Sequence, residues 1–125
     1  MNSITIVRPL PDAELSPNAR VHWARKAAFT ADYRTGTCIA VMGQIGRCAP
    51  MWEMAIAREV WYFRDNRRRD VRNFEQRMKP FYDGLKDAGL IVDDDSKHLR
   101  HEESEFKIDR ANPRVEITVT EARDG

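Results

Sequence analysis

The stretch RRDVRNFEQRMKPFYDGLKDAGLIVDDDS, residues 68–96, decides how the chain is read. Within it Phe74, Met78, Phe81, Leu85 and Ala88 recur at spacings of four, three, four and three. That period puts them on one face of an amphipathic helix, from about residue 73 to 88, packed as core or as a dimer interface. Gly89 closes the helix, because glycine adopts the left-handed conformation that ends helices. Pro80 fits only in a first turn or at a kink, since inside a helix it removes a hydrogen bond at a cost of about 3 kcal/mol. After the glycine, apolar Leu90, Ile91 and Val92 run into Asp93, Asp94 and Asp95.

Upstream, the segment from Met51 to Phe63 carries Trp, Ile, Val, Tyr and Phe in near-alternation and is expected to be a strand, with Arg58 and Glu59 on a solvated face or edge. Ile4 to Val7 is a β-branched run stopped by Pro9 and Pro11, the first strand. From Val21 onward Trp23, Ala27, Ala31, Cys38, Val41, Met42 and Ile45 recur near helical spacing, a long helix bent or broken at Gly36. Downstream, Leu99 to Ile108 is a polar strand candidate. Ala111-Asn112-Pro113 is expected to turn a hairpin into the alternation Val115, Ile117, Val119. The order is β-α-β-α-β-β: a single α/β (α+β) domain over residues 1–125, a mixed sheet with two helices, frayed only over 121–125.

With 125 residues and 42% hydrophobic content, the chain has room for one core. No run of 18 apolar residues and no signal-like start occurs, so no membrane contact is expected and the cytoplasm is the expected compartment. Cys38 and Cys48 lack partners at metal-ligand spacing and read as reduced thiols. No glycine-rich phosphate loop, Ser-His-Asp set or Cys-x-x-Cys pair appears, so no organic cofactor is expected.

The net charge of +1 conceals a separation along the chain. Between Arg64 and Lys79 seven basic residues face three acidic ones; between Asp83 and Glu105 eight acidic residues face three basic ones. A basic stripe attracts phosphate, and an adjacent acidic cluster can hold a cation that offsets the repulsion between them.

The order of these elements resembles the RusA-type Holliday-junction resolvases. The resemblance rests on the basic run Arg67-Arg68-Arg69, then Asp70-Val71-Arg72-Asn73, Lys79 at the head of a helix containing Asp83-Gly84-Leu85, Ala88-Gly89, and the pair Asp93-Asp94. More weakly it extends to Pro17, Asn18 and Trp23 and to the last strand. It implies a homodimeric, Mg²⁺- or Mn²⁺-dependent endonuclease of bacterial or phage origin, which cuts branched DNA in recombination and repair. Asp70 and Asp94 match family carboxylates, with Asp93 beside them; Lys79 matches the active-site lysine and Asn73 the motif asparagine. Arg72 departs from the pattern, standing where the family has a second aspartate.

Mg²⁺ takes hard oxygen ligands and keeps several waters, so Asp70 and Asp94 can suffice, with Glu75, Asp93 or Asp95 as substitutes for the missing ligand. Lys79 is then expected to stabilise charge developing on the phosphate. Arg67, Arg68, Arg69, Arg72 and Asn73, with Asn18 and His22 from the N-terminal loop, are the expected DNA contacts. A helix over 73–88 is roughly 24 Å long, while the extended return to Asp94 spans about 16 Å. The site therefore closes by a tilted return or across a two-fold interface, which also suits a substrate with two equivalent strands.

Blander readings compete. Arginine runs are often solvated turns, and aspartates after a helix are often polar loops. His98 and His101 fall on opposite faces of a strand and read as surface or DNA-facing groups. Trp52 and Trp61 read as core. Because Arg72 replaces an anion, a junction-binding protein without cleavage is the first rival, and a structural oligomer with an incidental acidic loop is the second.

Overall fold

The computed structural model describes residues 2–15, 20 and 22–122. Its centre is β2 (Ala55–Phe63). On one side β2 pairs antiparallel with β5 (Arg114–Glu121), which pairs in turn with β1 (Ser3–Arg8). On the other side β2 pairs parallel with β3 (Leu99–His101) and β4 (Glu105–Ile108). The result is a mixed five-stranded sheet.

Alternation along the strands gives the sheet two unlike faces. Ala55, Ala57, Trp61 and Phe63 of β2, Val115, Ile117 and Val119 of β5, and Ile4 and Ile6 of β1 share one core with Met78, Phe81 and Leu85 from the helical layer. On the outer face Thr5 and Thr118 exchange a hydroxyl hydrogen bond at 2.9 Å, and Ser3 meets Thr120 at 3.1 Å.

The first helix, α1 (Trp23–Ile45), runs unbroken through Gly36. Its buried residues are Tyr33, Thr37 and Val41, an i, i+4, i+8 stripe. Trp23, Ala27, Ala31 and Met42, which helical spacing had singled out, are exposed. Of the periodic set, Val41 is buried and Cys38 and Ile45 pack against the core, but a threonine and a tyrosine that the pattern passed over share that inward face: Thr37 Oγ1 donates to the Tyr33 carbonyl at 2.9 Å, and the Tyr33 hydroxyl donates to the Pro9 carbonyl at 2.7 Å.

The second helical stretch is broken into α2 (Val71–Gln76) and α3 (Lys79–Asp87). The break puts Pro80 in the first turn of α3, where its missing N–H has no intrahelical partner to lose. Gly89, at φ 78°, ends α3 as expected. The chain then turns back: Trp52 N donates to the Leu90 carbonyl at 2.9 Å, and Val92 N donates to the Trp52 carbonyl at 3.0 Å. That short parallel bridge aims Asp93, Asp94 and Asp95 back along α3.

Four expectations need correction. The segment 99–108 is two strands rather than one. Ala57 faces His101 and Val60 faces Glu105, so three residues oppose two and one is extra; that is a β-bulge. The 109–113 segment does turn, with Asp109 Oδ1 accepting from Ala111 N and Asn112 N at 3.2 Å each. It makes no hairpin, however, because β2 lies between β4 and β5. Glu59 is on neither a solvated face nor an edge; it is buried on the inner phase of β2. Glu121 ends β5, and Ala122 N donates to the Met54 carbonyl at 2.8 Å, so the fraying expected from 121 does not begin there. No helix among the described residues is long and apolar enough to cross a membrane.

Candidate functional site

A groove of about 570 Å³ opens where α2, α3 and the bulged β3–β4 edge meet β2. Ala57, Glu59 and Tyr82 reach it from the sheet and from α3; Arg72, Glu75 and Lys79 line it from the helices; Asp94, His101 and Ser104 complete it. Residues 59, 79 and 94 are far apart in sequence, so the parallel crossover from β2 through the helices to β3 is what gathers them.

Lys79 and Asp94 meet directly, Nζ donating to Oδ2 at 2.6 Å. Lys79 Nζ also lies 3.1 Å from Asp83 Oδ1, one helical turn on. Lys86 reaches the same carboxylates from the far end of α3, at 3.3 Å from Asp94 Oδ1 and 3.5 Å from Asp83 Oδ1. Burial works to raise the Asp94 carboxyl, whose side chain is only 14% exposed, but the hydrogen bonds and charges of Lys79 and Lys86 outweigh it and hold the group below the usual carboxylate range. In return, the hydrogen bond to Asp94 raises Lys79.

Glu59 is a different kind of acid. At 5% exposure it accepts from Trp61 Nε1 at 3.0 Å and from the Tyr82 hydroxyl at 2.5 Å. Burial drives its carboxyl up, and those two hydrogen bonds only partly oppose the rise. His101 packs edge-on against the Tyr82 ring, centroids 4.9 Å apart, and burial lowers its basicity against the pull of Glu75 and Asp94.

The other residues singled out in the sequence scatter around this groove. Asp70 is the N-cap of α2, its Oδ1 accepting from Arg72 N at 3.1 Å, and it does not line the groove. Arg67, 83% exposed, and Arg68 face solvent. Arg69 is folded back over the Phe63 ring at 4.0 Å, with its guanidinium on Asp65 at 2.8 Å, and so builds the loop. Asn73 Oδ1 accepts from Arg77 Nε at 3.1 Å, with a second Arg77 nitrogen at 2.8 Å. His22 caps α1, Nδ1 accepting from Ala24 N at 3.2 Å, and stacks on exposed Trp23. Asn18 lies outside the described residues.

For a cation, the groove offers carboxylate oxygens, the hard donors that Mg²⁺ and Mn²⁺ prefer. Beside it, Asp93, Asp95 and His98 each present a ligand atom within 4.8 Å of the others. Asp95 Oδ1 already accepts from Lys97 N at 3.0 Å and His98 N at 3.1 Å, closing the turn before β3.

Sequence reading had placed Lys79, Asp94 and Arg72 at a site, had Asp83 in the motif and His101 as a surface or DNA-facing group, and passed over Glu59, Tyr82 and Lys86. Glu59 carried a signal nonetheless: it is the one acid on the inward phase shared by Ala55, Ala57, Trp61 and Phe63.

No family model matches the chain. Over 141 aligned residues it is 32% identical to an uncharacterized protein of Xylella fastidiosa (strain Temecula1 / ATCC 700964), an alignment that takes in 96% of this chain and 76% of that protein. At that identity and coverage, the chain belongs to the same family as the Xylella fastidiosa protein.

Proposed function

We propose that the chain is a magnesium-dependent endonuclease that acts on branched DNA as a homodimer in the cytoplasm, in recombination and repair. The observation that carries this reading is the meeting of Lys79 with Asp94 inside a groove that Glu59, Glu75, Glu102 and Arg72 also line. A hard cation and a lysine side by side are what phosphodiester hydrolysis asks of a protein, one for the phosphate oxygens and one for the charge that develops.

Asp94, with Asp93 beside it in the loop after α3, would hold Mg²⁺, or Mn²⁺, on this reading, while Asp70 stays at the N-cap of α2 outside the groove. The ion when bound supplies polarisation of the phosphate and a lowered pKa for a water. Lys79 leaves its ion pair for the phosphate, while Lys86 remains on Asp94 and keeps that carboxylate turned into the groove. Arg67 and Arg68 extend outward to neighbouring phosphates, and Arg72 clamps the backbone at the groove wall.

A synthetic four-way junction tests this directly. With Mg²⁺ the chain should nick it, and Asp94→Asn should lower the rate at least about a hundredfold without loss of binding. An unchanged rate in Asp94→Asn removes the proposal.

A second reading, a junction-binding protein that does not cut, is favoured by one specific feature: both Asp94 oxygens are held by lysines and Arg72 stands in the groove wall. Tight, salt-sensitive binding without nicking, and nicking gained in Arg72→Asp, would select it.

A further inference from the structure

The phosphate-handling roles above make no use of Glu59. Its carboxylate sits on the central strand and, among the described residues, hydrogen-bonds only to neutral partners, Trp61 Nε1 on Oε1 and the Tyr82 hydroxyl on Oε2. An acid buried without a compensating charge is a poor structural choice, since a neutral residue of the same shape avoids the desolvation. The two partners are unlike. An indole N–H can only donate and so pins Oε1, whereas a phenolic hydroxyl can donate or accept, so the proton between Tyr82 and Oε2 has two positions. Both residues line the groove that contains Lys79 and Asp94. Residues 102–104 form a bulge opposite Arg58 and Glu59, with Glu102 and Ser104 lining the groove, the kind of distortion that re-aims side chains beside active sites.

We propose that Tyr82 and Glu59 form the proton relay of this groove, Tyr82 facing the attacking water and Glu59 taking the proton behind it. The inference rests on the hydrolase reading of the same groove and adds the base that reading lacks. In the step, a water oxygen bonds to phosphorus as the bond from phosphorus to the leaving sugar oxygen breaks. The water proton passes to the Tyr82 oxygen, the Tyr82 proton passes to Glu59 Oε2, and the leaving oxygen takes a proton from solvent. Glu59 ends neutral and returns its proton through the same hydroxyl. Glu59 thus acts through Tyr82 and is a positioning residue in the strict sense.

The charged and titratable groups facing the pair are Glu75 from α2, Tyr33 from α1 and His101 from β3. Burial and Glu75 favour the protonated acid, so Glu59 titrates above the ordinary value of 4.5, and cutting should rise with pH as it ionises.

The test uses the full chain, a synthetic four-way junction and Mg²⁺. Glu59→Gln should lower kcat about a hundredfold and abolish the acid limb of the pH–rate profile, with junction affinity unchanged and thermal stability not reduced. Tyr82→Phe should give the same loss. A Glu59→Gln chain with the wild-type rate and acid limb overturns the relay and leaves the hydrolase reading standing. A wild-type chain that cuts no junction overturns the hydrolase reading and the relay with it. In the DNA-free protein, carbon-13 NMR of the Glu59 carboxyl should show titration above the ordinary range and a shift in Tyr82→Phe; a carboxyl silent from about pH 4 to 9 sinks the relay even if junctions are cut.

Discussion

Two buried or half-buried acids in one groove respond to pH with opposite sign. Asp94 has a depressed pKa, so its ion pairs with Lys79 and Lys86 contribute stability above the ordinary carboxylate value of 3.8 and lose it as pH falls through the lowered value. Glu59 has a raised pKa, so its neutral form favours the fold below 4.5, and that contribution is lost as pH rises through the raised value. Denaturant unfolding at a series of pH values separates them. Asp94→Asn should flatten the acid side of the stability curve. Glu59→Gln should gain on the wild type as pH rises, by on the order of 1 kcal/mol at neutrality, because it removes a buried charge that only neutral groups solvate. A Glu59→Gln chain that loses stability steadily with pH would mean that the two hydrogen bonds outweigh the burial. The sequence made half of this legible. Asp94 stood out in an acidic run, whereas Glu59 was masked by Arg58 beside it, since adjacent strand residues point to opposite faces and only one of the two is solvated.

Among the elements, the break between α2 and α3 does most to shape the site. A single helix over 73–88 would have carried Asn73 and Lys79 on one rigid rod; instead Lys79 begins its own helix, and the chain after Gly89 returns to it. Asp70 is left with a definite local duty as the N-cap of α2. Asp70→Ala should therefore cost about 1 kcal/mol, while Asp70→Asn keeps the cap and loses only the charge. Since Asp70 lies outside the groove, Asp70→Asn should keep both stability and junction cutting; a large loss of cutting in that variant would return Asp70 to the metal site. The packing of α3 on α1 depends on Gly84, where an added Cβ would meet the Arg34 carbonyl at 2.7 Å and the Thr37 Cβ at 2.8 Å. Backbone and a packed side chain cannot yield cheaply, so Gly84→Ala should lower stability by about 2 kcal/mol in urea unfolding. Pro80 signalled the break in the sequence. Gly84 gave no such signal, because its neighbours come from a helix nearly fifty residues earlier.

At the scale of the molecule, one sheet face is covered by helices and the groove opens at the parallel edge, beside the solvent-facing arginines that precede α2. For a DNA-binding chain this makes affinity a function of salt. Removing Arg67 and Arg68 together should reduce the slope of log affinity against log salt by about one per arginine, measured by fluorescence anisotropy on a junction. Arg69→Ala should instead act on stability, since its guanidinium is spent on Phe63 and Asp65. The sequence by itself determined what local pattern can determine: the mixed helix and strand content, the helix stop at Gly89, the inward phase of β5, the core tryptophans Trp52 and Trp61, and the concentration of charge around Lys79 and Asp94. Each of these depends on residues a few positions apart, through helix or strand period and the backbone freedom of glycine and proline. Only the tertiary structure decided that β2 separates β4 from β5, that a bulge faces Glu59, that α1 buries Tyr33 and Thr37, and that Lys79, Lys86, Asp94, Glu59 and Tyr82 share one groove. Those are pairings across long stretches of chain, fixed by which strand edges and helix faces fill one core together, and no local period carries that information.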